Sequence, residues 1–408
     1  MLTYNDLVND MRSGCKPREE WRIGIEHEQF VFNLQNGLPL PYDGKPGIKQ
    51  ILEAFIRDYK WRGQEKNGYL IELKRDGAMI TLEPGGQIEL SGGAHLKLAN
   101  VRKEGDKFYK ELQAIGKEMG FGILSKGFHP EWSREQIHLM PKERYKIMAP
   151  YMKGRSKHGV DMMLLTCGAQ INLDFESEAD MVKKFRVALG LQPIITALLA
   201  NSNKVEGQDT GYASYRSFIW TETDPVRCGV PEFVFDENMS FARYVDYALD
   251  VPMYFIIRNG KYINVAGQSF RDFMQGRLKG HEGIFPEISD WRDHLTTLFP
   301  EVRLKTYLEF RGPDSASPSL VYAMSAFWTG ILYNEEALDR AWKLISQLTA
   351  EDHVRIRNEV PKLGLDTIVT DKMDLRTLAH KAIEIARKGL KVLEPKAADD
   401  LTAFRIKL

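Results

Sequence analysis

Thr81-Leu82-Glu83-Pro84-Gly85-Gly86-Gln87-Ile88-Glu89-Leu90-Ser91 reads as two extended arms joined by a Pro-Gly-Gly turn. Pro84 restricts Glu83 to extended geometry, and Gly85-Gly86 permits the positive φ of a tight turn. Side chains in a strand alternate between faces, so Gln87, Glu89 and Ser91 lie together while Ile88 and Leu90 point the other way. Acids and an amide on one face, with no Lys or Arg among them, suit a hard cation. Mg²⁺ in particular is held by one or a few carboxylates together with substrate phosphates. A solvated strand face beside a turn is the competing reading of these residues.

Working outward, three more stretches carry a polar face. Trp21 to Phe32 reads as a strand with Glu26, Glu28 and Phe30 on one side and Ile25, His27 and Gln29 on the other. His27 thus points away from both acids, and the His-Glu-x-x-His spacing of a helical zinc site is absent. The residue is expected to be a packed, hydrogen-bonded histidine. Thr166 to Phe175 places Gln170, Asn172 and Asp174 on one side. Val302 to Arg311 reads as one regular strand, with Arg303, Lys305, Tyr307, Glu309 and Arg311 facing Leu304, Leu308 and Phe310 across it.

Each of the four keeps a single apolar face for the core, as an antiparallel sheet with one wet side requires. Acids and bases are segregated among them rather than mixed. That points to a concave site in which carboxylates hold Mg²⁺ with a triphosphate, while Arg303, Lys305 and Arg311 neutralise charge developing in phosphoryl transfer. The P-loop, kinase and nucleophile-elbow motifs are missing.

Hairpins are expected at Asp76-Gly77 and Asn259-Gly260. Helices are expected over 3–13, 46–60, 94–119 with a stop at Gly120, from Ser177 to about Asn201, and near 335–349, 351–359 and 374–393. Arg144, on a helix opened by Met140-Pro141-Lys142-Glu143, is either a bidentate carboxylate clamp or a surface arginine; spacing alone favours the surface.

The chain has 408 residues, and Lys+Arg and Asp+Glu each number 56, so bulk positive charge does not drive nucleic-acid binding. Cys15, Cys167 and Cys228 are too few and scattered for a disulfide framework, which fits a reducing compartment and, with no apolar signal core, a cytoplasmic protein. No apolar run is long enough for a membrane span. Nothing forces a cut into independent domains.

These stretches, together with Arg216-Ser217-Phe218-Ile219-Trp220-Thr221, Tyr244 to Phe255 and Phe299 to Lys305, resemble glutamate–cysteine ligases of the plant and proteobacterial type over about residues 20–345. The resemblance implies an α+β fold related to glutamine synthetase: a curved, mainly antiparallel sheet forming a funnel. It implies one catalytic domain, with the sheet core at about 20–311 and a helical part at about 320–408. It also implies an ATP-dependent ligase that phosphorylates the glutamate γ-carboxylate and then couples it to the cysteine amine, the first step of glutathione synthesis. On that resemblance Glu26, Glu28, Glu83 and Glu89 are Mg²⁺ ligands, Arg303, Lys305 and Gln87 contact the ATP, and Arg303, Lys305, Glu309 and Arg311 are the expected catalytic residues. Arg144, Arg216, Trp220, Tyr254, Gln170 and Asn172 belong to the substrate pocket.

Two departures stand out. Gly168-Ala169 replaces the usual Thr-Val and is expected to reshape the acceptor pocket. Gly312-Pro313-Asp314-Ser315-Ala316 replaces Gly-Ala-Asp-Gly-Gly and is expected to alter a loop over the site. The alternatives are a same-fold ligase for another amine and a non-catalytic homologue that binds Mg-nucleotide. Partners are small molecules, and the oligomeric state is open.

Overall fold

The computed structural model describes Met1 to Leu408. Its centre is a nine-stranded sheet: β1 (Ile23–Asn33), β2 (Arg62–Lys66), β3 (Tyr69–Arg75), β4 (Ala78–Leu82), β5 (Ile88–Ser91), β6 (Phe121–Leu124), β7 (Ala169–Leu173), β8 (Val302–Leu304) and β9 (Leu308–Phe310). The order is β8-β9-β7-β1-β5-β4-β3-β2, with β6 on the far half of β1. Every pairing in it is antiparallel.

The polar-faced segments are neighbours. Glu28 lies opposite Glu89, Glu26 opposite both Gln170 and Ser91, and Asn172 opposite Glu309. Directly opposed residues point to the same face, so these registers gather the polar side chains into one patch. The other face is apolar, with Ile25, Leu90, Ile171, Leu173, Leu304 and Leu308 at most 1 % exposed. It packs on helices Leu98–Met119, Glu178–Leu199 and Pro318–Leu332.

Local signals explain most boundaries. Thr3 caps the first helix through a reciprocal pair with Asp6. Gly120, at φ +77°, ends the helix Leu98–Met119. The turns Asn67-Gly68 and Asp76-Gly77 have positive φ at both positions, as two-residue hairpins favour. Asn67-Gly68 is also the signal that could have revealed β2, which the sequence reading passes over. His27 is fully buried, with Nδ1 on the Tyr109 hydroxyl at 2.7 Å and Nε2 on Ser315 Oγ at 2.9 Å. Burial lowers its pKa to about 4 and keeps it neutral.

Two expectations need correction. Val302 to Arg311 is not one strand: β8 and β9 form a hairpin through Lys305-Thr306-Tyr307, with Arg303 opposite Glu309. Parity survives the turn, so the alternation reads identically for one strand or two, and no Gly, Pro or Asn marks the bend. The hairpin expected at Asn259-Gly260 is present, Phe255–Arg258 pairing with Lys261–Asn264, and a helix, Phe241–Asp250, precedes it. Gly312 to Ala316 does not lie over the site; it is buried behind β1. There Asp314 accepts hydrogen bonds from Ser202 Oγ and Ser214 Oγ, each at 2.7 Å, and Ser315 Oγ donates to the Glu28 carbonyl.

Candidate active site

The wet face of the sheet forms the floor of a cavity of about 620 Å³. Glu26 and Glu28 of β1, Gln87 and Glu89 at β5, Gln170 of β7, Arg303 of β8 and Arg311 just after β9 line it. Glu83 enters from the β4–β5 turn. That turn is held shut by the Glu83 N–H donating to the Gln87 carbonyl and the Gly86 N–H to the Glu83 carbonyl. Gly86 takes φ +86°, and a side chain on Gly85 would run into the Leu164 carbonyl, so both glycines are required.

Oxygens of Glu28, Glu83 and Glu89 all lie within 4.8 Å of one another. Around them, the Gly168 N–H donates to Glu28 Oε2 at 2.6 Å, Gln170 Nε2 donates to Glu28 Oε1 at 3.3 Å, and Ser91 Oγ donates to Glu89. Burial first, and the neighbouring carboxylates second, push all three acids up from the ordinary range. Glu26 stands beside this trio rather than in it. It accepts from Asn172 Nδ2 at 2.9 Å, and burial together with Glu309 and Glu89 raises its pKa to about 7.

The basic side is built differently. Glu309, 1 % exposed, receives Arg303 at 2.6 and 2.9 Å, Arg311 at 2.6 Å and Lys305 at 3.1 Å. Burial works to raise its pKa, but the three cations outweigh it and hold the carboxyl well below the usual range. Arg303 also donates to the Thr296 and Leu298 carbonyls, and Arg311 to Gln170 Oε1. Lys305, Glu309 and Asn172 sit beneath or beside the cavity lining rather than on it.

Of the remaining residues singled out in the sequence, Arg144, Arg216 and Trp220 line the cavity. Arg144 lies 5.6 Å from the Phe255 ring and its Nε is buried without a partner. Arg216 donates to the Gly312 and Arg311 carbonyls at 2.9 and 3.2 Å, and its Nε is likewise unpartnered, as is Trp220 Nε1. Gln87 faces the cavity, but its amide is spent on the backbone, accepting from the Gly85 N–H and donating to the Leu164 and Thr166 carbonyls. Tyr254 is not on the wall: its hydroxyl donates to Met152 Sδ and its ring lies under Arg227. From the same hairpin, Tyr262, Ile257 and Gly260 line the cavity instead.

Lys142 was missed. Its Nζ donates to the Leu82 carbonyl at 2.7 Å, and the Tyr145 hydroxyl meets the same oxygen at 2.8 Å, which anchors the chain beside Glu83. Burial lowers the Lys142 pKa while Glu83 and Glu89 pull it back up. Met148, Met162, Met163 and Phe299 complete an apolar wall.

No helix is long and apolar enough to cross a membrane. The chain is 47% identical over 389 residues to a chloroplastic glutamate–cysteine ligase of Nicotiana tabacum, covering 95% of this chain and 74% of that one. It is 44% identical over 402 residues to the chloroplastic enzyme of Arabidopsis thaliana, covering 98% and 76%. The cytoplasmic expectation is therefore corrected: the relatives that the chain matches are named chloroplastic, not cytoplasmic. Three free, scattered cysteines suit any reducing compartment and could not decide between the two.

Among solved structures, a glutamate–cysteine ligase of Francisella tularensis in complex with AMP superposes with a TM-score of 0.53 at 14% identity, over 95% of this chain and 81% of that one. That likeness establishes the shared α+β fold. Residues 22–403 match the profile of glutamate–cysteine ligase family 2, and on this match and the identities above the chain belongs to that ligase family.

Proposed function

We propose that this cavity joins the γ-carboxylate of L-glutamate to the amine of L-cysteine, with ATP as phosphoryl donor and γ-glutamyl phosphate as intermediate. The observation that carries the reading is the trio Glu28, Glu83 and Glu89: carboxylate oxygens within 4.8 Å, Glu89 buried and the other two half-buried, raised by burial and by one another, with no ion-pair partner in the chain. All-oxygen donors of this charge fit Mg²⁺. Bound there, Mg²⁺ would offset the charge of a triphosphate.

The chain's own residues supply the rest. Arg303, Lys305 and Arg311 outnumber Glu309, so that end of the floor stays positive and attracts phosphoryl oxygens. Their fixed ion pairs mean that little reorganisation accompanies reaction. Arg144 and Arg216 keep buried donors free for amino-acid carboxylates. Trp220, Phe299 and the methionines exclude water, which protects an acyl phosphate from hydrolysis. One hydrophobic cluster runs through sheet and C-terminal helices, which supports reading the chain as a single catalytic domain.

A second reading, coupling to a different amine, is favoured by Gly168, whose missing side chain leaves the space that the wall residue Arg216 fills. Phosphate release with ATP, glutamate and a panel of amines decides between them. Release dependent on cysteine supports the first reading, and release only with another amine the second. No release with any amine overturns both.

A further inference from the structure

Two candidate groups meet at Gly168. Its backbone is linked both ways to Glu28: its N–H donates to Oε2 at 2.6 Å and its carbonyl accepts the Glu28 N–H at 3.1 Å. On its other side lies Arg216. A Cβ built on Gly168 would stand 2.6 Å from Arg216 Nη2 and 3.1 Å from its Cζ, well inside ordinary contact. The backbone of Gly168 is outside the left-handed region, so the path of the chain makes no demand for glycine there. What the missing side chain provides is space.

The guanidinium fills that space. Arg216 is 4 % exposed, its Nη1 and Nη2 are committed to the Gly312 and Arg311 carbonyls, and its Cζ lies 5.9 Å from the Trp220 ring. Pinned from the far side by two carbonyls, it could yield to a Cβ only by losing one of those bonds or by moving toward the cavity. Either change would disturb a buried donor, Nε, that has no partner within the chain.

We infer that Gly168 is a positioning residue for Arg216: by leaving the strand bare, it sets how deep the guanidinium sits. It thereby fixes the room available to an amino acid whose carboxylate pairs with that arginine. The inference rests on the proposed function for the identity of the ligand, but the seat itself is a property of the fold. Gly168 is thus a specificity position for one of the two amino-acid substrates and not for ATP.

The test combines Gly168→Ala with Arg216→Lys. In wild-type background, Gly168→Ala is expected to raise KM about tenfold for one amino acid, the size of one displaced charge-assisted hydrogen bond. KM for ATP and kcat should stay within about threefold, because those terms do not pass through Arg216. Arg216→Lys, which removes the fork that meets the new methyl, should raise the same KM. Adding Gly168→Ala to it should then cost almost nothing further, since the two residues act through one contact. Additive costs, an unchanged KM, or a matching rise in KM for ATP (action through Glu28) would each overturn the inference. If the wild-type protein fails to release phosphate with any amine, the functional reading fails on its own. Crystal structures of wild type and Gly168→Ala then decide: a displaced guanidinium supports the seat, and superposable guanidinium groups refute it.

Discussion

At one end of the sheet Glu309 sits among Arg303, Lys305 and Arg311, its carboxylate charge answered from within the chain. Across β7 and β1, the trio of Glu28, Glu83 and Glu89 gathers with hydrogen-bond donors but no ion pair. Burial is common to both ends, yet one carboxyl is driven down and three are driven up. A buried charge is tolerated only when it is paired, so the acid of the first end is paired as folded and the acids of the second are paired from outside. The paired end resists rearrangement, while the unpaired end is where a cation gains most by binding.

The largest expected effect breaks the unpaired end. Glu89→Gln should lower cysteine-dependent phosphate release on the order of a thousandfold, comparable to losing a principal stabiliser of transition-state charge. The metal-free protein should nevertheless melt no lower than wild type, because a repelling charge has gone. A rate near wild type, or a marked fall in melting temperature, would erase the contrast between the two ends.

Glu309→Gln should behave in the opposite way. Removing the buried acid that three cations share, Arg303 among them buried with it, leaves them uncompensated, a loss of about 3–5 kcal/mol for a buried pair. Denaturant unfolding of the metal-free protein measures it, and an unchanged midpoint would mean that the paired end is not a structural unit.

Arg144→Ala sharpens the comparison from the wall of the cavity. With its Nε buried and unpartnered, Arg144 resembles the acidic trio in awaiting a ligand. An increase of about tenfold in KM for one amino acid is expected, with the melting temperature nearly unchanged. An unchanged KM for both amino acids would return Arg144 to the surface role that its spacing alone suggested.

The smallest expected effect is a pH dependence. Glu26 titrates at about 7 in the folded protein, and the trio is also raised. The folded state therefore binds protons that the unfolded chain has released. Stability from these groups is fully present below the ordinary carboxylate range, falls as pH rises and is gone above about 7. The metal-free protein should melt lower at pH 8 than at pH 6. Added Mg²⁺ should raise the melting temperature more at pH 8, where no protons compete for the same oxygens. Equal shifts at the two pH values would separate the raised acids from cation binding.

Much of this was legible in the chain because period-two alternation carries over directly to a sheet. Glu26 with Glu28, Gln87 with Glu89, and Gln170 beside them emerged on the expected side. What alternation cannot reveal is which strands are neighbours or where a strand folds back. Hence the β8–β9 hairpin was read as one strand, its parity being preserved through Lys305-Thr306-Tyr307. Nor does a face assignment distinguish a side chain that meets ligand from one already committed. Gln87 spends its amide on backbone groups and Tyr254 packs beneath Arg227, facts that depend on residues distant in sequence. Lys142 went unnoticed for the same reason: its importance lies in reaching the Leu82 carbonyl, which no local pattern announces.

The central claim is that Glu28, Glu83 and Glu89 hold a divalent cation that the chain does not itself replace. Crystals grown with Mn²⁺ and ATP, measured for anomalous scattering, test it most directly. A manganese peak ligated by oxygens of this trio is expected in the wild-type protein and should be lost in Glu89→Gln. A peak ligated elsewhere, or a trio left without metal while nucleotide is bound, would contradict it.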